Sequence, residues 1–429
     1  MSSTRKWTQA LALGLGLWAA SVQAEPASVK VAVMVSLSGA SASQGISIRD
    51  AIRLAVAEQN WKGGFNGRKI ELVERDDEDK PERAEALARE LIRKEKVEFA
   101  LGFNSSAVAL RVLQQFQDAK IPVLIGSASD TALTRLFEAP LHRENYIFRN
   151  AASDQVQAQL IVRELLERHR FSRVAILAEA SSYGKSGGET IKRQLALRLC
   201  APPFNGEADA QNGWVKGGGG KLMHAPLQAE FAPGQTDMSG LIAQAKRAGV
   251  DALVVWAQAP EAAAIAKARA RANWSVPLIG AETLGTSAFI KAAGAAGQGV
   301  HLPASFVAEP INSRRQEFLI AFRRQSGNEE IQAPVAAAQA YDSVLLLSAA
   351  VRQAGSTQGS AVRAALENLK GSVFGVVSTY ERPFRANDHE AIAVEMLATG
   401  EVNGKRVSHA YKEEIQAIIL GRKPKATGG

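Results

Sequence analysis

A single cysteine, Cys200, stands in the 429 residues, which excludes a disulfide-stapled scaffold. Histidine is nearly as scarce: His142, His169, His224, His301, His389 and His409 are scattered without ligand spacing, so the sequence offers no zinc site. Aromatic residues make up 6% of the chain, and its lysines and arginines are dispersed rather than blocked, which gives nucleic-acid binding no support. Beyond the N-terminus no apolar run approaches the length of a membrane span.

Catalytic signatures are missing as well. Tyr183-Gly184-Lys185-Ser186 ends like a phosphate loop, but Glu179 fills the place of the required upstream glycine. The glycines of Gly294–Gly299 are wrongly spaced for a dinucleotide fingerprint. The acidic loop Asp76-Asp77-Glu78-Asp79 misses the EF-hand pattern and reads as a solvated helix start. With no anchored nucleophile, base, metal or cofactor motif, the expectation is a protein that binds rather than catalyses.

What is present begins with a leader. Arg5 and Lys6 precede the apolar run Leu11–Ala20, and Val22-Gln23-Ala24 offers small residues for cleavage. Residues 1–24 are therefore expected to be a secretory signal peptide. No cysteine follows the cleavage point, so a freely soluble periplasmic product is expected rather than a lipoprotein. At 46% hydrophobic residues, the remainder can bury two domain-sized cores.

From Val29 onward, short apolar runs alternate with helical stripes, the pattern of an α/β fold with parallel strands. Two segments carry the most chemistry. Val97–Gly102 runs into Phe103-Asn104-Ser105-Ser106, and Ile121–Gly126 runs into Ser127-Ala128-Ser129-Asp130. Between them Ala109, Val112, Leu113 and Phe116 form one face of a helix. This βαβ unit sets two serine-rich loops side by side at strand carboxyl ends, where hydroxyls and helix N-termini suit an anion. The pattern restarts after Arg149-Asn150. Residues 200–225, with Pro202-Pro203 and Gly217 to Gly220, break the rhythm as an insertion that contributes to neither core.

Taken in order, Val31–Gly39, Asp76-Asp77, Gly102-Phe-Asn-Ser-Ser106, Tyr183-Gly184, Gly280-Ala-Glu282 and Tyr341-Asp342 resemble the leucine/isoleucine/valine-binding protein family, the type I periplasmic receptors of ATP-driven importers. The resemblance implies two Rossmann-like lobes with parallel-rich sheets, joined by three crossovers and closing on ligand like a hinged trap. It assigns 25–149 plus 306–375 to the first lobe and 150–305 plus 376–429 to the second. By position, Ser106 and the turn Ser127, Ala128 and Ser129 would hold an α-carboxylate, Tyr183 would close over the ligand, and Glu282 would face an α-ammonium. Gln44 stands where close relatives carry an aromatic ring. The implied function is capture of a branched-chain or other small amino acid, or a related carboxylate, by a monomer that delivers it to a membrane permease. The family also includes receptors for aromatic acids, amides and urea. A sensory protein presenting its ligand to a membrane sensor is the alternative from another class.

Overall fold

A strand buried on both faces needs a continuous apolar run, and β1 (Val29–Val35) is one, with only Lys30 partly exposed. The computed structural model describes residues 27–199, 208–209, 214–215 and 224–419. The expected signal peptide, Cys200 and most of the 200–225 insertion lie outside the described residues.

After β1 come α1 (Ala42–Trp61), β2 (Ile70–Asp76), α2 (Pro81–Glu90), β3 (Phe99–Gly102), α3 (Ser106–Asp118), β4 (Val123–Ile125), α4 (Ala132–Arg135) and β5 (Ile147–Arg149). These five strands form one parallel sheet in the order β2-β1-β3-β4-β5. The second half repeats the scheme with α5 (Asp154–Arg163), β6 (Arg173–Glu179), α6 (Ser182–Leu199), the short pair β7 (Ala208–Asp209) and β8 (Trp214–Val215), β9 (His224–Phe231), α7 (Ser239–Arg247), β10 (Ala252–Trp256), α8 (Ala259–Arg271), β11 (Leu278–Gly280), α9 (Ser287–Ala293) and β12 (His301–Ala304). Its parallel strands follow the order β9-β6-β10-β11-β12, which is the same winding.

The chain then returns to the first sheet with α10 (Ser313–Ser326), α11 (Pro334–Ala354), α12 (Gly359–Glu367) and the hairpin β13 (Ser372–Phe374) and β14 (Thr379–Glu381). It ends on the second sheet with antiparallel β15 (Ala398–Asn403) and β16 (Arg406–His409), followed by α13 (Lys412–Ile419). The backbone thus passes between the sheets after β5, after β12 and before β15.

Several elements differ from the sequence reading, each for a physical reason. Residues 376–397, expected in the second lobe, pack into the first core through Val376, Tyr380, Phe384, Ile392 and Leu397. Asp342 on α11 holds them there, accepting the N–H groups of Val376 at 2.7 Å and Val377 at 2.9 Å and the Tyr380 hydroxyl at 3.0 Å. Helix α11 itself has the length and hydropathy of a membrane span, but most of its surface is buried. Strand β9 begins inside the expected insertion. It is an edge strand whose register slips beside Pro226, and a proline in a sheet is tolerated at such an edge or bulge. The Asp76–Asp79 turn is not a solvated helix start: Asp77 is fully buried and accepts the Ser36 hydroxyl at 2.6 Å.

Candidate functional site

In a doubly wound sheet, the loops leaving neighbouring strands on either side of the order reversal diverge and open a crevice at the carboxyl edge. Each sheet has one such reversal, between β1 and β3 and between β6 and β10. The loops after β1, β3 and β4 face those after β6, β10 and β11 across a cavity of about 190 Å³. Gln44, Asn104, Ser106, Ser127 and Ser129 line one side, and Glu179, Tyr183, Glu261, Glu282 and Thr283 the other.

Two glycines set the helices that carry the walls. A Cβ on Gly45 would lie 1.9 Å from the Ser36 carbonyl oxygen, and one on Gly184 would lie 2.0 Å from that of Glu179. Only glycine lets α1 and α6 approach the ends of β1 and β6 this closely, and that approach seats Gln44 and Tyr183. Gly184→Ala is accordingly expected to push α6 off β6 and cost about 1–3 kcal/mol, read as a lower urea midpoint. An unchanged midpoint would show that this contact does not constrain the helix.

Apart from Asp79, which follows β2, the first wall is made of neutral hydrogen-bonding groups. Strand β3 ends with Gly102 and Phe103 both at positive φ, which turns the chain sharply into α3. Asn104 accepts the Ser36 N–H at 2.9 Å, and Ser105 caps α3. Ser106 accepts the Asp130 N–H at 3.3 Å, leaving its own O–H to donate. Gln44 reaches the Ser127 hydroxyl at 3.5 Å. The buried Ser129 hydroxyl makes no hydrogen bond of ordinary geometry within the described residues, but it faces the Asp154 carboxyl and lowers its proton affinity. Free hydroxyls near a helix N-terminus suit a carboxylate.

The opposite wall is acidic. Glu282 is 7% exposed, its N–H is held by Gln157 at 3.0 Å, and no described residue donates to its carboxylate. Burial, reinforced by the Asp154 carboxylate, pushes its pKa up to about 8, with Arg149 opposing. Asp154 lies behind it, fully buried, with one oxygen bonded to Ser186 at 2.5 Å and the other unpartnered; burial raises it to about 6. The Thr283 hydroxyl donates to the Ala257 carbonyl at 2.8 Å, so Tyr183 donates to Thr283 at 3.5 Å. Burial holds the Tyr183 phenol well above its ordinary range and keeps it a neutral donor.

Of the residues expected from sequence, Gln44, Ser106, Ser127, Ser129, Tyr183 and Glu282 meet in this cavity. Ala128 does not line it: its N–H is taken by the Phe103 carbonyl at 2.9 Å. Sequence reasoning did not single out Asp154, Glu179, Glu261 or Thr283. Three of these sit at the carboxyl edge of the second sheet or in the first turn of the helix that follows, the same kind of position that exposed the serines. A second outcome was also hidden. Glu164, His169 and His301, far apart in sequence, bring their ligand atoms within 4.8 Å of one another beside Tyr411. The Glu164 carboxylate there accepts from both imidazoles, at 3.2 and 3.1 Å.

The profile of a family described as periplasmic binding protein matches residues 28–197 and 206–406. The chain is similar to the leucine-specific-binding protein of Salmonella typhimurium, 24% identical over 324 residues, which are 75% of this chain and 79% of that protein. Among solved structures it is similar to the branched-chain amino acid transporter substrate-binding protein LivJ of Streptococcus pneumoniae in complex with isoleucine, with a TM-score of 0.72 and 21% identity over 89% of this chain and 98% of that one. It is similar to almost the same degree to an ABC transporter solute-binding protein of R. palustris in complex with benzoate, with a TM-score of 0.71 and 20% identity over 89% of this chain and 95% of that one. At these identities the structural likeness speaks for the fold.

Proposed function

The chain belongs to the periplasmic binding protein family, and from that premise we propose that it is the substrate-binding protein of an ABC importer, taking up a small α-amino acid in the periplasm and handing it to a membrane permease. One observation carries this reading. The cavity sets neutral hydroxyl donors against a buried carboxylate that lacks a hydrogen-bond donor, a complement to the two charged ends of an amino-acid zwitterion. Ser106, Ser127 and Ser129 would bind the α-carboxylate, Glu282 with Asp154 behind it the α-ammonium, and Tyr183 and Gln44 would border the side chain. Domains 25–149 and 306–397 would form one lobe, with 150–305 and 398–419 the other.

An aromatic acid is the competing ligand, supported by the likeness to the benzoate-binding protein. The lining counts against it, because among the described residues four acidic side chains and no basic one surround the space. A ligand carrying only negative charge would meet repulsion with little compensation.

A thermal-shift panel of α-amino acids, benzoates and small amides tests the assignment, since a ligand that binds only the native state raises apparent stability. An α-amino acid is expected to raise the melting temperature, and the corresponding α-keto acid to leave it unchanged. Stabilisation by benzoates alone would overturn the reading. Contacts on both lobes make the closed state the one with more ligand interactions, so the same amino acid is expected to reduce the radius of gyration in X-ray scattering. An unchanged radius at saturation would rule out hinge closure.

A further inference from the structure

Glu282 accounts for one acidic end of the cavity, but there is a second. Glu179, at the end of β6, is 3% exposed, and Glu261, in the first turn of α8, is 6% exposed. Both line the cavity together with Asp79 from the first lobe. Asp79 is held by the Ser41 hydroxyl at 3.0 Å. The three acids interact: Glu261 and Asp79 both add to the burial that raises the Glu179 carboxyl.

The two acidic ends come from different strands of the second sheet. Glu179 ends β6 and Glu282 follows β11, with β10 between them, so two strand spacings, about 10 Å, separate the strand ends. Tyr183, in the first turn of α6 after β6, reaches the Thr283 hydroxyl beside Glu282 at 3.5 Å.

Backbone hydrogen bonds explain only part of this second group. Glu261 accepts the Gly234 N–H of the turn after β9 at 2.7 Å through one oxygen, and its other oxygen is buried with no partner among the described residues. Glu179 accepts the N–H of Gln258, at the start of α8, at 2.9 Å. Each bond needs one acceptor oxygen, and glutamine would supply it without burying charge. Two buried carboxylates facing a third, with no lysine, arginine or histidine along the cavity wall among the described residues, are a costly arrangement unless a cation enters among them.

Resting on the amino-acid reading above, we propose that the ligand is a basic α-amino acid, whose side-chain ammonium or guanidinium is received by Glu179, Glu261 and Asp79 while its α-ammonium faces Glu282. The unpartnered Glu261 oxygen accepts from the side-chain cation. Gln44, where an aromatic ring would favour an aliphatic side chain, leaves the passage between the two ends polar.

Calorimetric titration with L-lysine and L-arginine, against the near-isosteric neutral amino acids L-norleucine and L-citrulline, tests the proposal. The basic member of each pair is expected to bind about 30-fold or more tighter, the effect of a desolvated charge pair. Glu261→Gln, which keeps an acceptor for the Gly234 N–H, is expected to remove most of that preference and, because it removes a buried charge, to raise the melting temperature of the empty protein. Glu179→Gln is the second variant and is expected to act in the same direction. If norleucine binds as tightly as lysine in the wild type, the second acidic end has no role in selection and the proposal fails, while the amino-acid reading stands. If none of the four binds and an aromatic acid does, the amino-acid reading fails and this one with it.

Discussion

Replacing Glu282 by glutamine is expected to weaken binding of an α-amino acid by about 30-fold to several-thousand-fold, the cost of removing one partner from a desolvated charge pair. The variant keeps the size of the side chain and the backbone N–H bond to Gln157. It loses only the charge. The effect carries a pH signature. Burial and the neighbouring Asp154 place the ligand-free Glu282 pKa at about 8, so at neutral pH the carboxyl is mostly protonated. An entering ammonium needs the carboxylate, and binding must release the proton. Wild-type affinity is therefore expected to climb with pH, by up to about tenfold per unit, and to level off above pH 8. In Glu282→Gln this dependence should be much flatter. Calorimetry in buffers of different ionisation enthalpy reads the proton directly. Equal affinities in wild type and variant for an amino acid that stabilises the wild type would return Glu282 to a packing role.

The same shift acts on stability with the opposite preference. The folded-state carboxyl holds its proton more tightly than in the unfolded chain, where the ordinary value is 4.5. Its contribution is therefore fully present below pH 4.5 and is lost as pH rises through about 8. Ligand-free Glu282→Gln is expected to melt at a higher temperature than wild type at pH 9 and at a similar temperature at pH 4. A residue that stabilises the ligand complex while destabilising the empty protein is what a dedicated binding group looks like.

Arg149→Met is expected to lower stability by about 3–5 kcal/mol, the range for breaking a buried ion pair by removing one partner. The Arg149 side chain is fully buried. It bonds both carboxylate oxygens of Glu390, at 2.7 and 2.8 Å, and donates to the Asp130 carbonyl at 2.7 Å and the Ala128 carbonyl at 3.3 Å. These contacts clamp the serine turn and the 389–391 segment onto β5, where Arg149 also bridges Glu390 through the backbone. Arg149 is the cation that partly offsets Asp154 and Glu282 as well. Methionine would fill part of the volume but leave two carbonyls and three carboxylates without that charge. Lysine is expected to rescue poorly, because one ammonium cannot reproduce a planar fork that serves four acceptors. Urea unfolding measures the loss. A change within about 1 kcal/mol would mean that water replaces the guanidinium there.

Local patterning determined the elements of this protein. Unbroken apolar runs such as Val31–Val35 and Ala252–Trp256 have no stable place except between two helical layers, so alternating strands and helices were legible from the chain alone. The loops at their carboxyl ends followed from the same rule, and with them the serine loops that carry Ser106, Ser127 and Ser129, whereas Tyr183, Glu282 and Gln44 were legible only through the resemblance to the leucine/isoleucine/valine-binding protein family. The limits of local pattern show at β9, where Pro226 hides an edge strand, and at residues 376–397, which pack apolar side chains into the first core and are tied there by Asp342 through the N–H groups of Val376 and Val377. What only the tertiary structure decided is electrical. Glu179, Glu261 and Asp154 are ordinary acids in the sequence. They become a charge pattern because folding buries Glu179 and Glu261 on the wall of one cavity and Asp154 behind it, with no basic side chain on that wall among the described residues. Periodicity is a property of neighbours in the chain and can be read from it. Desolvation and the absence of a counter-charge depend on everything that surrounds a group in space.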